Sequence, residues 1–348
     1  MGGRSAALIL HAALLSTLAS TATAGGRAAA APPATAAAAA APVATAAPAA
    51  PAPQQLEEIA IVGERPGPRL WKITRGDHVL WLLGTLNHLP KRMTWRSSEV
   101  DSALSQSQEL LTSGPSVSAG VGPIGAIRLY LQWRRTQKNP DHLTLEVWLP
   151  APLYARFETL KARFDAGDNG IEELRPSFAA LRLYEHAVDA AGMTAHDEVE
   201  QTVVRLARRR GITIQRAELK IEDPSGALKE VSALPPTVEV DCLAATVTRI
   251  ETDLPGMQER ARAWAVGDVD RLRALPYPNQ REACMSALSN SPRIKALVDR
   301  AGQAWSEEAE AALSRNRVSF AMRPIYELLD AGGPLAKFRA EGYRVDGP

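Results

Sequence analysis

The chain has 348 residues, 45% of them hydrophobic and 23% charged, which is enough for one large domain or two small ones around an ordinary apolar core. Its 40 basic residues against 39 acidic ones leave a net charge of +1, and so exclude the basic excess that a nucleic-acid partner calls for.

Arg4 precedes the apolar run Ala6 to Leu18, and Ala22-Thr23-Ala24 supplies a small-x-small cleavage site. The pattern reads as a secretory signal peptide over residues 1–24, because the run is shorter than the roughly 20 residues of a spanning helix. No cysteine follows to accept a lipid, and no other segment is long and apolar enough to span a bilayer. The expected destination is therefore the periplasm or the exterior. Residues 25–55 are almost entirely alanine, proline and threonine, with too little large apolar surface to offset the entropy of ordering them. They are expected to form a disordered spacer, and residues 56–348 a single domain.

That domain opens with a predicted hairpin, Leu70 to Thr74 and His78 to Leu83, joined by Arg75-Gly76-Asp77. The second strand runs into Gly84-Thr85-Leu86-Asn87-His88-Leu89-Pro90. An unbroken apolar run that stops at glycine reads as a strand buried on both faces, with Gly84, Thr85, Asn87 and His88 at the tip, where open α/β sheets bind ligands. Ser97 or Ser98 caps a helix burying Val100, Ala103 and Leu104, and Glu109 to Thr112 returns as a strand. The segments Gly114-Pro115-Ser116 and Gly120-Val121-Gly122 read as irregular loop. From Ile124 to Leu254 the pattern is mostly helical, with helices at Pro152 to Phe164, Phe178 to Ala190, and from about Asp197 to Arg208-Arg209-Arg210 before Gly211. That arginine triplet reads as a solvent-facing terminus rather than an anion site. His196-Asp197-Glu198 reads as a helix cap. Ile212 to Ile214 is a short predicted strand, and Glu218 lies just past it. After Pro235-Pro236 two helices are expected, one burying Leu243, Val247 and Ile250, the next Met257, Ala261 and Trp264. A long helix from Pro292 to Ser314 turns Ile294, Leu297, Val298, Ala301 and Trp305 inward. A strand Val318 to Met322, helices Ile325 to Leu329 and Pro334 to Ala340, and Tyr343 to Val345 complete the domain.

Cys242 and Cys284 are expected to pair in an oxidising compartment; the competing reading is two separately buried thiols.

Val79 to Met93, together with Phe320-Ala321-Met322 and Gly342-Tyr343-Arg344-Val345, resembles the TraB/GumN family, which includes the Tiki metalloproteases. The likeness spans roughly Glu57 to the C-terminus. It implies an α/β fold, a small mixed sheet with a large helical complement, and two Gly-x-x-His motifs that serve a metal. In this chain Gly84-Thr85-Leu86 is followed by Asn87 rather than histidine, with His88 one place late. At the second motif Arg323-Pro324-Ile325-Tyr326 has neither the glycine nor the histidine. Thr112-Ser113-Gly114 stands where the family often has a carboxylate, and Glu218 alone falls at an acidic family position. Trp264 to Asp268 also resembles the family and reads as structural, Gly267 ending one helix and Asp268 capping the next.

Outside the signal peptide only His78, His88, His142, His186 and His196 are available, and no two have a tight metal-ligand spacing. There is no Gly-x-Ser-x-Gly elbow and no glycine-rich phosphate loop. The expectation is a degenerate, non-catalytic member without metal or cofactor. It would bind a protein, peptide or polysaccharide in the crevice or on its helical surface. The alternative is a Tiki-type metal-dependent hydrolase with rearranged ligands, in which His88 and Glu218 carry the chemistry.

Overall fold

The computed structural model describes residues 67–95, 98–165, 167–194, 197–276, 284 and 292–348. The expected signal peptide and spacer, Ser97 and His196 lie outside them.

The hairpin forms as its sequence dictates. Strands β1 (Leu70–Arg75) and β2 (His78–Thr85) pair antiparallel across Gly76, whose φ of 62° suits the turn. Leu80, Leu82 and Leu83 are fully buried, so the apolar run of β2 is covered on both faces. Helix α1 (Ser98–Ser105) buries Val100, Ala103 and Leu104 as its spacing requires, and β3 (Glu109–Leu111) follows. With β5 (Thr213–Gln215), β7 (Val318–Pro324) and β8 (Arg344–Asp346) these strands build a six-stranded sheet of order β5-β3-β7-β2-β1-β8. β5, β3, β7 and β2 are parallel, while β1 is antiparallel to both β2 and β8. The expected mixed α/β fold is thus present, and the parallel part brings four carboxyl ends to one rim.

The helical complement includes α2 (Pro123–Thr136), α3 (Leu145–Trp148), α4 (Ala151–Phe164), α5 (Pro176–Ala190), α6 (Glu198–Arg209) and α7 (Pro224–Ser232). Gly192 and Gly211, at φ of 72° and 69°, follow α5 and α6 as left-handed termini. Asp197 takes the cap position of α6, without a side-chain cap bond.

Two local expectations need correction. Gly114-Pro115 and Gly120-Val121-Gly122 are loop as expected, but Ser116 opens a second sheet, in which β4 (Ser116–Ala119) pairs parallel with β6 (Glu218–Ile221). Glu218 lies just past β5, as expected, and also opens β6. The two helices expected after Pro235 are one 30-residue helix, α8 (Pro236–Ala265), with Pro255 inside it. Proline removes one backbone bond. The apolar stripe nevertheless continues in phase through Met257, Ala261 and Trp264, and ion pairs of Asp253 with Arg249 at 3.4 Å and Arg260 at 2.5 Å bridge the interruption.

The Trp264-to-Asp268 stretch is structural, as expected. Gly267 adopts φ of 71°, and Asp268 caps α9 (Val269–Ala274) by accepting from the Arg271 amide at 2.9 Å. Trp264 also donates from Nε1 to the carbonyl of Gly84 at 2.7 Å, fixing the tip of β2. α10 (Pro292–Arg315), α11 (Ile325–Leu329) and α12 (Pro334–Ala340) complete the fold. Gly84 is required where it stands, since a Cβ there would run into the Ile325 side chain on α11.

Cys242 on α8 and Cys284 form a disulfide, with Cα atoms 4.5 Å apart. No helix among the described residues is long and apolar enough to cross a membrane.

Candidate ligand-binding site at the strand tips

The segments leaving the four parallel strands converge on one cavity of about 940 Å³. β2 contributes Thr85 and Asn87, β3 contributes Ser113 and Gly114, β5 contributes Arg216, and β7 contributes Arg323 and Pro324. This is the crevice that parallel topology creates outside its carboxyl ends. α6 and the first turns of α10 close it on the other side.

Of the residues singled out in the sequence, Thr85 and Asn87 line the cavity. Gly84 lies buried beneath it. His88 adopts φ of 63°, its Nδ1 is 2.9 Å from the Thr194 carbonyl oxygen, and its ring meets Tyr184 edge-on at 5.4 Å. The next residue is fastened to the same segment, with the Leu89 amide donating to Thr194 Oγ1 at 3.1 Å and the Thr194 amide to the Leu89 carbonyl at 2.7 Å. Glu218 is exposed. Its strand neighbour Leu219 faces the cavity, so Glu218 points to the opposite face. Neither His88 nor Glu218 is among the lining residues.

The residues that give the cavity its chemistry are different ones. Glu200, in the first turn of α6, accepts a short hydrogen bond from the Ser113 hydroxyl. Burial pushes the Glu200 carboxyl above its ordinary range and repulsion from Asp197 adds to the shift, while the Ser113 bond and the Arg216 charge oppose it. Arg323 donates from Nη1 to the Ser113 carbonyl at 3.0 Å, lies 2.5 Å from Glu327, and stacks 5.0 Å from the Trp305 ring centre. Arg208, from the triplet read as a solvent-facing terminus, lines the cavity; Arg209 and Arg210 do not. The strand-tip rule applied to β3 would have found Ser113. Nothing in the sequence marks Glu200, because a glutamate in a first helical turn already has the helix dipole as its reason.

The metal that the resemblance implies does not fit this site. In the parallel register Gly84 lies opposite Arg323 and Thr85 opposite Pro324, so the two tips are aligned and Asn87 corresponds to Tyr326. A carboxamide and a phenol stand at the two histidine positions. Arg323 stands opposite Gly84 in the register, and its guanidinium, paired with Glu327, offers donors only. Tyr326 turns its hydroxyl to Glu327 at 3.3 Å. Among the described residues no group of three or more His, Cys, Asp or Glu is placed to hold a metal ion.

No curated protein and no solved structure matches the chain. A family model described as TraB/PrgY/gumN does match, over residues 69–347, from just before β1 to the end of β8. The match takes in both aligned strand tips and every element of the sheet, and the chain belongs to the TraB/PrgY/gumN family.

Proposed function

We propose that this protein is an exported, non-catalytic member of its family that binds a ligand in the strand-tip cavity. The observation that carries the reading is the register of β2 with β7, which sets Arg323 against Gly84 and leaves Asn87 and Tyr326 at the paired motif positions. A crevice of this size is ample for a small ligand, and a larger protein, peptide or polysaccharide partner would enter it by one group. Export is supported by the Arg4, Ala6-to-Leu18 and Ala22-Thr23-Ala24 pattern, and by the Cys242–Cys284 disulfide, which suits an oxidising compartment.

In a hydrolytic version of this fold His88 would act as base with Glu218 as its acidic partner. The binding reading uses neither. Protein purified after export and supplied with zinc, cobalt or manganese is expected to cleave a mixed peptide library no faster than its His88→Ala/Glu218→Gln variant. Cleavage that a chelator stops and that the double variant lacks would overturn the proposal in favour of a Tiki-type hydrolase.

A further inference from the structure

We propose that the strand-tip cavity recognises an aliphatic chain bearing one anionic head group, a carboxylate or a phosphate monoester. The inference rests on the binding reading above and adds the chemical class of the ligand.

The apolar wall of the cavity comes largely from α10. Its stripe of inward residues continues at helical spacing from Trp305 through Ala309, Ala312 and Leu313, all in the core. The earlier members of the same stripe, Ile294, Leu297, Val298 and Ala301, line the cavity instead, and Val298 is 43% exposed. A helix face that packs the core at one end and lines the cavity at the other is an apolar surface that the described residues leave partly uncovered. Val204 and Leu219 extend it across the cavity. None of the described lining residues is aromatic, so the wall suits an aliphatic body and offers no stacking platform for a sugar or a base.

The anionic half comes from the arginines. Four of them line the cavity against three acids, Asp197, Glu200 and Glu327. Arg323 is committed to Glu327, and Arg205 to Glu198 and Thr202. Among the described residues Arg208 and Arg216 make no hydrogen bond or close ion pair, the Arg216 charge acting on Glu200 only at longer range. Two guanidinium groups facing an aliphatic wall match a head group that accepts forked hydrogen bonds, joined to a chain that covers the wall. A free fatty-acid-like carboxylate and a lipid phosphate share this chemistry.

Calorimetric titration of the full chain tests it, with octanoate, octyl phosphate, octylamine, octan-1-ol and inorganic phosphate as probes, all below micelle-forming concentrations. At least one of the two anionic chains is expected to bind saturably at one site per chain. It should bind at least about tenfold more tightly than octylamine, octanol or phosphate alone, as a charged hydrogen-bonded head group requires. The tighter of octanoate and octyl phosphate identifies the source. Arg208→Gln and Arg216→Gln are each expected to weaken binding about tenfold with unchanged melting temperature, both side chains being exposed. Val298→Asp should weaken it by a similar factor. No saturable binding of either anion, equal affinity for octylamine, or full affinity in the double arginine variant would overturn the assignment. Peptide cleavage alongside intact head-group selectivity would instead remove the non-catalytic reading and leave the ligand class standing.

Discussion

Glu200 is the residue on which the cavity's charge turns. Its ordinary value is 4.5, and burial, with Asp197 nearby, raises it in the fold against the Ser113 hydrogen bonds and the Arg216 charge. A raised carboxyl contributes stability that is fully present below the unfolded value and is lost as pH rises through the folded one. Glu200→Gln removes that dependence. The variant and the wild type should therefore have matching urea midpoints in acid, with the variant pulling ahead as pH rises towards neutral. A wild type that gains on the variant with rising pH would show that the Ser113 bond outweighs burial. At this scale the sequence was readable only where a residue had no ordinary reason to be present. Asn87 stood out because histidine was expected there, and Thr85 because a strand ended beside it. Arg208 and Glu200 did not, since the two ends of α6 account for a basic last turn and an acidic first turn on dipole grounds alone.

The long helix α8 shows how an element can override a local signal. Asp253 is 4% exposed and Arg260 2%, and Arg260 also donates to the Pro276 carbonyl at 2.7 Å, so the charges either side of Pro255 are buried and mutually satisfied. Asp253→Asn leaves Arg249 and Arg260 facing a neutral partner. The expected loss is about 3–5 kcal/mol, the range found when one member of a buried pair is removed. Chemical denaturation measures it, and a loss within the few tenths typical of a surface change would mean that the network does not hold the helix through the proline. The sequence read as two helices because its apolar groups are local signals, whereas the Asp253–Arg260 pair that carries the helix past Pro255 spans seven residues and depends on burial. The β4 and β6 strands were hidden for the opposite reason. At four residues each, β4 also bracketed by Gly114-Pro115 and Gly120, they have too little periodicity to stand out from loop. The α10 stripe was legible as apolar, but periodicity cannot distinguish a core from a cavity wall.

Across the whole molecule, a small mixed sheet was foreseeable from buried strands and the family likeness, and the crevice lies at its strand tips, whereas the strand order came only from the structure. Which side chains face it depended on the register of β7 against β2 and on α6 crossing above, neither of which a single chain displays. The disulfide belongs to this scale as well, because it closes a separation of 42 residues and ties α8 to Cys284. Exported protein alkylated without reductant should show no labelled thiol, and reduction should lower stability by about 4 kcal/mol in the chain-entropy model. Two labelled thiols in folded, unreduced protein would remove the bridge and, with it, one support for export.

The aligned tips of β2 and β7 carry Arg323, Asn87 and Tyr326 where a metal-binding pair of motifs would carry histidines. Equilibrium dialysis of chelator-free protein against zinc, cobalt and manganese, with bound metal read by mass spectrometry, tests this most directly. Because Arg323 faces Gly84 and Asn87 and Tyr326 replace the paired histidines, the protein should retain far less than stoichiometric metal. Retention of about one ion per chain at tight affinity, as a working site of this kind requires, would contradict it.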